Sequence, residues 1–235
     1  MTDKHLSTQF DTELSDICTR VLEMGGIVEA QVAQAVVALI QFSAETASQV
    51  LLREEQVNQL EMVIDRELST IIARRQPTAR DLRLLLAVSK TIANLERVGD
   101  EAARIARKVQ RMLNDGEPSR MGLPVADLEF ESELAIRQLR KALDAFARLD
   151  VESAVEVLKQ DHLIDREFEA LMRKLVTCMV QDPSTISSSI ELVFVAKALE
   201  RVGDHAKNIA EVIIYIVKGT DVRHNPLDAV ESLAR

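Results

Sequence analysis

The twelve residues LERVGDEAARIA, 95–106, return 104 positions later as LERVGDHAKNIA, 199–210, with nine identities. A phrase repeated at that distance in a chain of 235 residues favours two halves of like construction over one irregular domain. In both copies the apolar residues recur at helical 3,4 spacing: Leu95, Val98, Ala102, Ile105, Val109 and Met112, then Leu199, Val202, Ala206, Ile209, Ile213 and Ile216. Each copy reads as the core-facing side of a long helix.

Seven Gly and five Pro are too few to punctuate anything but long helices. They cluster at Gln76–Thr78, at 114–124, at Asp182–Ser184 and from Gly219 onward, with softer breaks near 41–44 and at Leu149–Asp150. The intervals predict helices over 10–41, 44–75 and 78–113, then 124–148, 151–181 and 185–218. The fold class is all-α: two tandem antiparallel three-helix bundles, joined end to end or side by side. The bundles are expected over 1–115 and 124–220, with a linker at 116–123 and a tail at 221–235. Gly25-Gly26 is the place to expect a kink in the first helix, and Thr78 and Ser184 suit helix caps after the prolines.

A net charge of -9 and a pI near 5.1 argue against a binder of nucleic-acid backbones. Cys18 and Cys178 stand alone, one per half, as packing thiols of a reducing compartment. The N-terminus has no apolar signal core, and the longest apolar run, 212–217, is far short of a membrane span. A cytosolic protein with no membrane insertion is expected.

The repeated phrase places Glu96 and Asp100, and again Glu200 and Asp204, about 40° apart on one helical ridge. Like charges there cost about 0.2–0.5 kcal/mol per pair, which an Arg97–Asp100 ion pair and its copy Arg201–Asp204 would offset. Gly99 and Gly203 cost about 1 kcal/mol each against Ala, so close packing or a ligand needs the room. Asp161 and Asp165 make another such pair, with Asp161 near the apolar seam and no obvious cation on its own helix face. The matching stripe in the first half is Glu54, Asn58, Glu61 and Asp65. Matching IDRE at 64–67 to IDRE at 164–167 gives one alignment. Aligning the proline turns instead, which is preferred because a turn fixes how two helices face, pairs Glu54 with Asp161 and Asn58 with Asp165. If helices on either side of a turn run antiparallel, Asp161, Asp165, Glu200 and Asp204 converge, as do Glu54, Asn58, Glu96 and Asp100. Such oxygen clusters suit Mg, Ca, Mn or iron rather than a structural zinc. Ordinary solvated helix surface accounts for the same spacing, and both readings stay open here. His162 and His205 read as exposed helix residues.

These phrases, with MGGIVE at 24–29, RRQPTARDLRL at 74–84 and IYIVKG at 214–219, resemble the PhoU family over about residues 10–220. The resemblance implies two three-helix bundles with paired E/DxxxD motifs that bind a divalent or trivalent metal such as Mg, Mn or Fe. Carried over position by position, the ligands are Asp161, Asp165, Glu200 and Asp204 in the second half, and Glu54, Asn58, Glu96 and Asp100 in the first. Asn58 departs from the pattern by one charge, so the first site is expected to hold a cation more weakly or not at all. The resemblance further implies a non-enzymatic cytoplasmic negative regulator of phosphate uptake and of the phosphate-starvation regulon. Its partners would be the ATPase of the phosphate ABC transporter and a phosphate-sensing histidine kinase.

Two other functions compete. A carboxylate-bridged dimetal enzyme in a helical bundle would use Glu-x-x-His pairs, and these helices carry none. A metal-free helical adaptor would leave the ridges solvated. The wide apolar face of the third helix, extended by Leu85 and Ile92, suggests a homodimer.

Overall fold

The computed structural model describes residues 8–114 and 124–234, so the linker expected at 116–123 lies outside the described residues. The elements are α1 (Thr8–Gln41), α2 (Ala44–Arg75), α3 (Ala79–Asn114), α4 (Val125–Arg148), α5 (Val151–Gln181), a 3₁₀ turn (Pro183–Thr185), α6 (Ile186–Lys218) and α7 (Leu227–Ala234). All six long helices fall within two residues of the expected ends, and the tail carries a seventh that packs on α5.

The breaks have local causes. At the α1–α2 and α4–α5 junctions an apolar residue takes a left-handed conformation, Phe42 at φ 53° and Leu149 at φ 50°. The next residue closes the old helix and caps the new one. Ser43 donates its N–H to Ala38 O at 3.0 Å and its hydroxyl accepts from Thr46 N, while Asp150 does the same with Ala145 O and with Glu152 N and Ser153 N. Between α5 and α6 the cap is Asp182, ahead of the proline, rather than the expected Ser184: its carboxylate accepts from Ser184 N at 3.0 Å. Gly25 sits inside α1, which is one continuous helix, and an added Cβ there would lie 2.6 Å from Leu143 Cδ2. The glycine lets α4 approach; it does not break the helix.

Each half is a three-helix bundle, α1–α3 and α4–α6, and the two lie side by side through α3 against α6 and α1 against α4. Every residue of the two repeated seams is at most 4% exposed, as core assignment required. Arg201 to Glu101, His205 to Asn94, Lys108 to Glu191 and Lys90 over Tyr215 pair rising numbers on α3 with falling numbers on α6, so these helices run antiparallel along their length. Leu85 and Ile92 are covered (0% and 2% exposed). The apolar face that suggested a homodimer is therefore largely occupied within the chain. Among the described residues α1 alone is long and apolar enough to cross a membrane, yet its apolar side packs against α2, α3 and α4.

One core position is an acid. Glu131 on α4 is wholly buried with neither oxygen hydrogen-bonded, where the first half, 107 residues earlier, has Met24. Burial, reinforced by Glu200 and Glu167, pushes its carboxyl up to about 8. The folded state thus keeps a proton that the unfolded chain releases near 4.5. Its contribution to stability is complete below that value and is lost as pH rises through about 8. Glu131→Gln and Glu131→Met should each gain on the wild type across this window, a widening difference in melting temperature that thermal scans from pH 5 to pH 8.5 will read. Parallel curves would show that Glu131 does not titrate there.

Candidate metal centre

The relation of the halves is fixed by two glutamines. Gln31 Nε2 donates to Val50 O at 3.3 Å, and Gln138 Nε2 donates to Val157 O at 3.1 Å. Donors and acceptors are each 107 residues apart, whereas α3 and α6 repeat at 104. In this register Glu54 corresponds to Asp161 and Asn58 to Asp165, the pairing given by the turns. The IDRE match is a coincidence of sequence.

In the first half Gln31 also reaches Glu54 Oε2 at 2.8 Å and Gly99 O at 3.4 Å, tying α1, α2 and α3 together at the ridge. Glu54 is 5% exposed. Burial, then the neighbouring Asp100, raises its pKa against the lowering effect of Gln31. Glu96 is raised by burial, then by Asp100, with Glu61 and Glu54 adding to it; Glu61 is raised by burial, then by Asp65. Five carboxylates, Glu54, Glu61, Asp65, Glu96 and Asp100, thus share one electrostatic neighbourhood. Two arginines stand beside them: Arg107 acts on Glu54, and Arg97, 64% exposed, lies 3.4 Å from Glu96 and 3.5 Å from Asp100. Buried oxygens are left over: Glu54 Oε1, Asn58 Oδ1 and Gln31 Oε1 have no hydrogen-bond partner.

The second half solves the same repulsion with its own side chains. Lys207 Nζ lies 2.6 Å from Asp161 Oδ2, and Lys197 Nζ 2.5 Å from Glu200 Oε2. The partner that Asp161 lacked on its own helix comes from α6. At the corresponding first-half positions stand Ala103 and Ala93, and Glu61 is replaced by Phe168, whose ring Lys197 overlies at 5.4 Å. Asp165 and Asp204 are exposed at the bundle surface; partial desolvation, followed by Glu200 and Asp161, pushes Asp204 up to about 6, and partial desolvation with Asp161 raises Asp165. Arg201 turns away from Asp204 to Glu101 on α3, at 3.2 Å, while the Arg97–Asp100 pair is present as expected. His162 is exposed, but His205 is half-buried against Asn94 Oδ1 at 3.0 Å, because α6 faces the other bundle there.

The donor set is oxygen throughout, and the unpartnered buried oxygens of the first half fit a hard cation. Among the described residues no three His, Cys, Asp or Glu side chains converge closely enough as placed to hold an ion. The structure brings the expected residues into two neighbourhoods without closing either. Sequence reading missed Gln31, Gln138 and both lysines. The glutamines could have been found as polar residues on otherwise apolar helix faces; the lysines needed the packing of α6 on α5.

Two three-helix bundles, each with an acidic ridge built around a mid-helix glycine, define a tandem-repeat helical protein. The PhoU domain matches residues 21–109 and 130–213, one copy per bundle. The chain belongs to the PhoU family. It is 47% identical over 224 residues to a "Phosphate-specific transport system accessory protein PhoU homolog" of Burkholderia sp, covering 95% of each chain. It is 41% identical to the Escherichia coli (strain K12) accessory protein PhoU over 98% of this chain and 94% of that one. The crystal structure of PhoU from Pseudomonas aeruginosa superposes with a TM-score of 0.84 at 44% identity over 90% of this chain and all of that one. The phosphate transport system regulatory protein PhoU from Streptococcus pneumoniae superposes at 0.82 and 25% identity, over 91% and 99%.

The glycines now have a measurable role. A Cβ on Gly99 would meet Glu54 Oε2 at 3.0 Å, Gln31 Oε1 at 3.2 Å and Val57 Cγ1 at 3.3 Å, whereas one on Gly203 would meet chiefly the tip of Ile164, at 2.6 Å. Alanine gains about 1 kcal/mol of helix propensity, against about 1–3 kcal/mol for overpacking. Gly99→Ala should destabilise by up to about 2 kcal/mol, since it displaces a hydrogen-bonded pair. Gly203→Ala should cost less and be relieved by Ile164→Val. Urea unfolding of the three variants checks the order.

Proposed function

We infer that the chain is a cytoplasmic negative regulator of phosphate uptake and of the phosphate-starvation response, acting by protein contact and not as an enzyme. The carrying observation is full-length similarity to proteins named as accessory or regulatory components of phosphate transport. Its partners in this reading are the ATPase of the phosphate ABC transporter and a phosphate-sensing histidine kinase, with a homodimer formed through a surface other than the seam face of α3. The net charge of -9 supports contact with proteins rather than DNA. Deletion of the gene should raise phosphate-starvation transcripts in phosphate-rich medium, and the effect should vanish when the kinase is also deleted. Unchanged transcripts would overturn the reading.

A hard divalent or trivalent cation belongs to the same reading. Glu54, Asn58, Glu96 and Asp100, joined by Glu61, would hold it through oxygen; bound there, it would neutralise a ridge that has no lysine of its own. Asp161, Asp165, Glu200 and Asp204 form the corresponding second-half set. The lysines alter the order expected from counting carboxylates. The first site, although one charge poorer at Asn58, has unpartnered oxygens, while Lys197 and Lys207 already occupy two acids of the second. Calorimetric titration with Mn should therefore find the tighter site lost in Glu54→Gln and retained in Asp161→Asn. Lys197→Ala combined with Lys207→Ala should tighten the weaker one. Equal loss in Glu54→Gln and Asp161→Asn would sink this order.

A further inference from the structure

The glycine and the two acids of the repeated ERVGD phrase serve their own bundles. Its arginine has another setting. Arg97 and Arg201, one from each half, line a single cavity of about 620 Å³ between α3 and α6, bordered also by the segment after α6. Arg104 on α3, Lys207 on α6 and Arg223 beyond it bring further positive charge. Asp100, Glu101, Asp204 and Glu211 line it as well, so sign alone decides nothing.

Lys207 is held by Asp161 at 2.6 Å and, with Arg223, neighbours Glu211, so the other arginines decide. Glu101, 5% exposed, is shared by two guanidinium groups, Arg104 at 2.8 Å and Arg201 at 3.2 Å, which leaves an excess of cation over anion at that point. Arg97 has only the long contacts at 3.4 and 3.5 Å and is 64% exposed. Asp100 stands 3.5 Å from Arg97, and Asp204 borders the cleft from the second ridge. Arg223 is held by Asp221 through both carboxylate oxygens, which fixes its guanidinium beside the opening. Guanidinium forks converging from two helices match tetrahedral oxyanions better than point charges do. We propose that this cleft binds a multivalent oxyanion of the phosphate class, held between Arg97 of the first half and Arg201 of the second, with Arg104 and Arg223 as further donors.

An occupant held in this way touches both bundles at once and competes with Glu101 for Arg201. The choice of phosphate among oxyanions rests on the function proposed above; the site does not.

Titration calorimetry of the full chain with inorganic phosphate, pyrophosphate and ATP, at low ionic strength and again at about 0.15 M salt, tests it. Arg97→Gln removes an exposed side chain with no buried partner, so its melting temperature should match the wild type while affinity falls about tenfold, the worth of one charge-assisted hydrogen bond. Arg137→Gln, exposed on α4 away from the cleft, should leave affinity unchanged. Binding of inorganic phosphate with this pattern identifies a free anion, and binding of ATP alone with the same pattern identifies a nucleotide as its source. The proposal is overturned if none of the three binds in the millimolar range, or if the two substitutions weaken binding alike. A null titration leaves the deletion phenotype untouched, so this failure is separable from failure of the regulatory reading.

Discussion

Antiparallel packing of α3 on α6 is the contact from which the rest of the architecture follows. It joins the cores of two small bundles into one continuous cluster. It also sets the two copies of that phrase across from each other, so that Arg201 reaches Glu101 and His205 reaches Asn94. A carboxylate as buried as Glu101 is tolerated because two guanidinium groups share it; without them it would be a charge removed from water with no return. The acidic ridges lie along the flanks of this seam, and their surroundings differ according to which residues each half places beside them.

Duplication supplied the frame, and divergence set the electrostatics. The first half keeps alanines at 93 and 103 and leaves oxygen atoms bare around Glu54. The second half puts lysines at the same places and a phenyl ring where the first has Glu61. These are two solutions to one problem, the mutual repulsion of carboxylates four residues apart on facing helices. A tethered ammonium group is supplied by the chain itself, whereas the first half leaves its buried oxygens without a partner.

Helix number, helix ends and the identity of the seams were legible because each depends on local signals: the 3,4 period, the prolines, and Ser43 or Asp150 as caps. The acids were legible by spacing, and their pairing across each bundle by the turns. The lysines, the buried Glu131 and the Arg201–Glu101 link were not, because each joins residues on helices whose relative rotation no local pattern states. The burial of Leu85 and Ile92 was hidden for the same reason: an apolar stripe shows that something covers it, and only packing shows that the cover lies within the same chain.

Phe42 and Leu149 carry a further meaning. A bulky side chain in the left-handed region is strained relative to glycine or asparagine, and both junctions retain one 107 residues apart. Each turn therefore trades backbone comfort for an apolar side chain packed at the end of its bundle. Hairpin geometry is held there by side-chain burial as well as by the loop itself. A turn fastened in this way loses its angle when the bundle end opens, so loosening at that end passes directly into the relative tilt of α1 and α2, or of α4 and α5, and from there to the acids those helices carry.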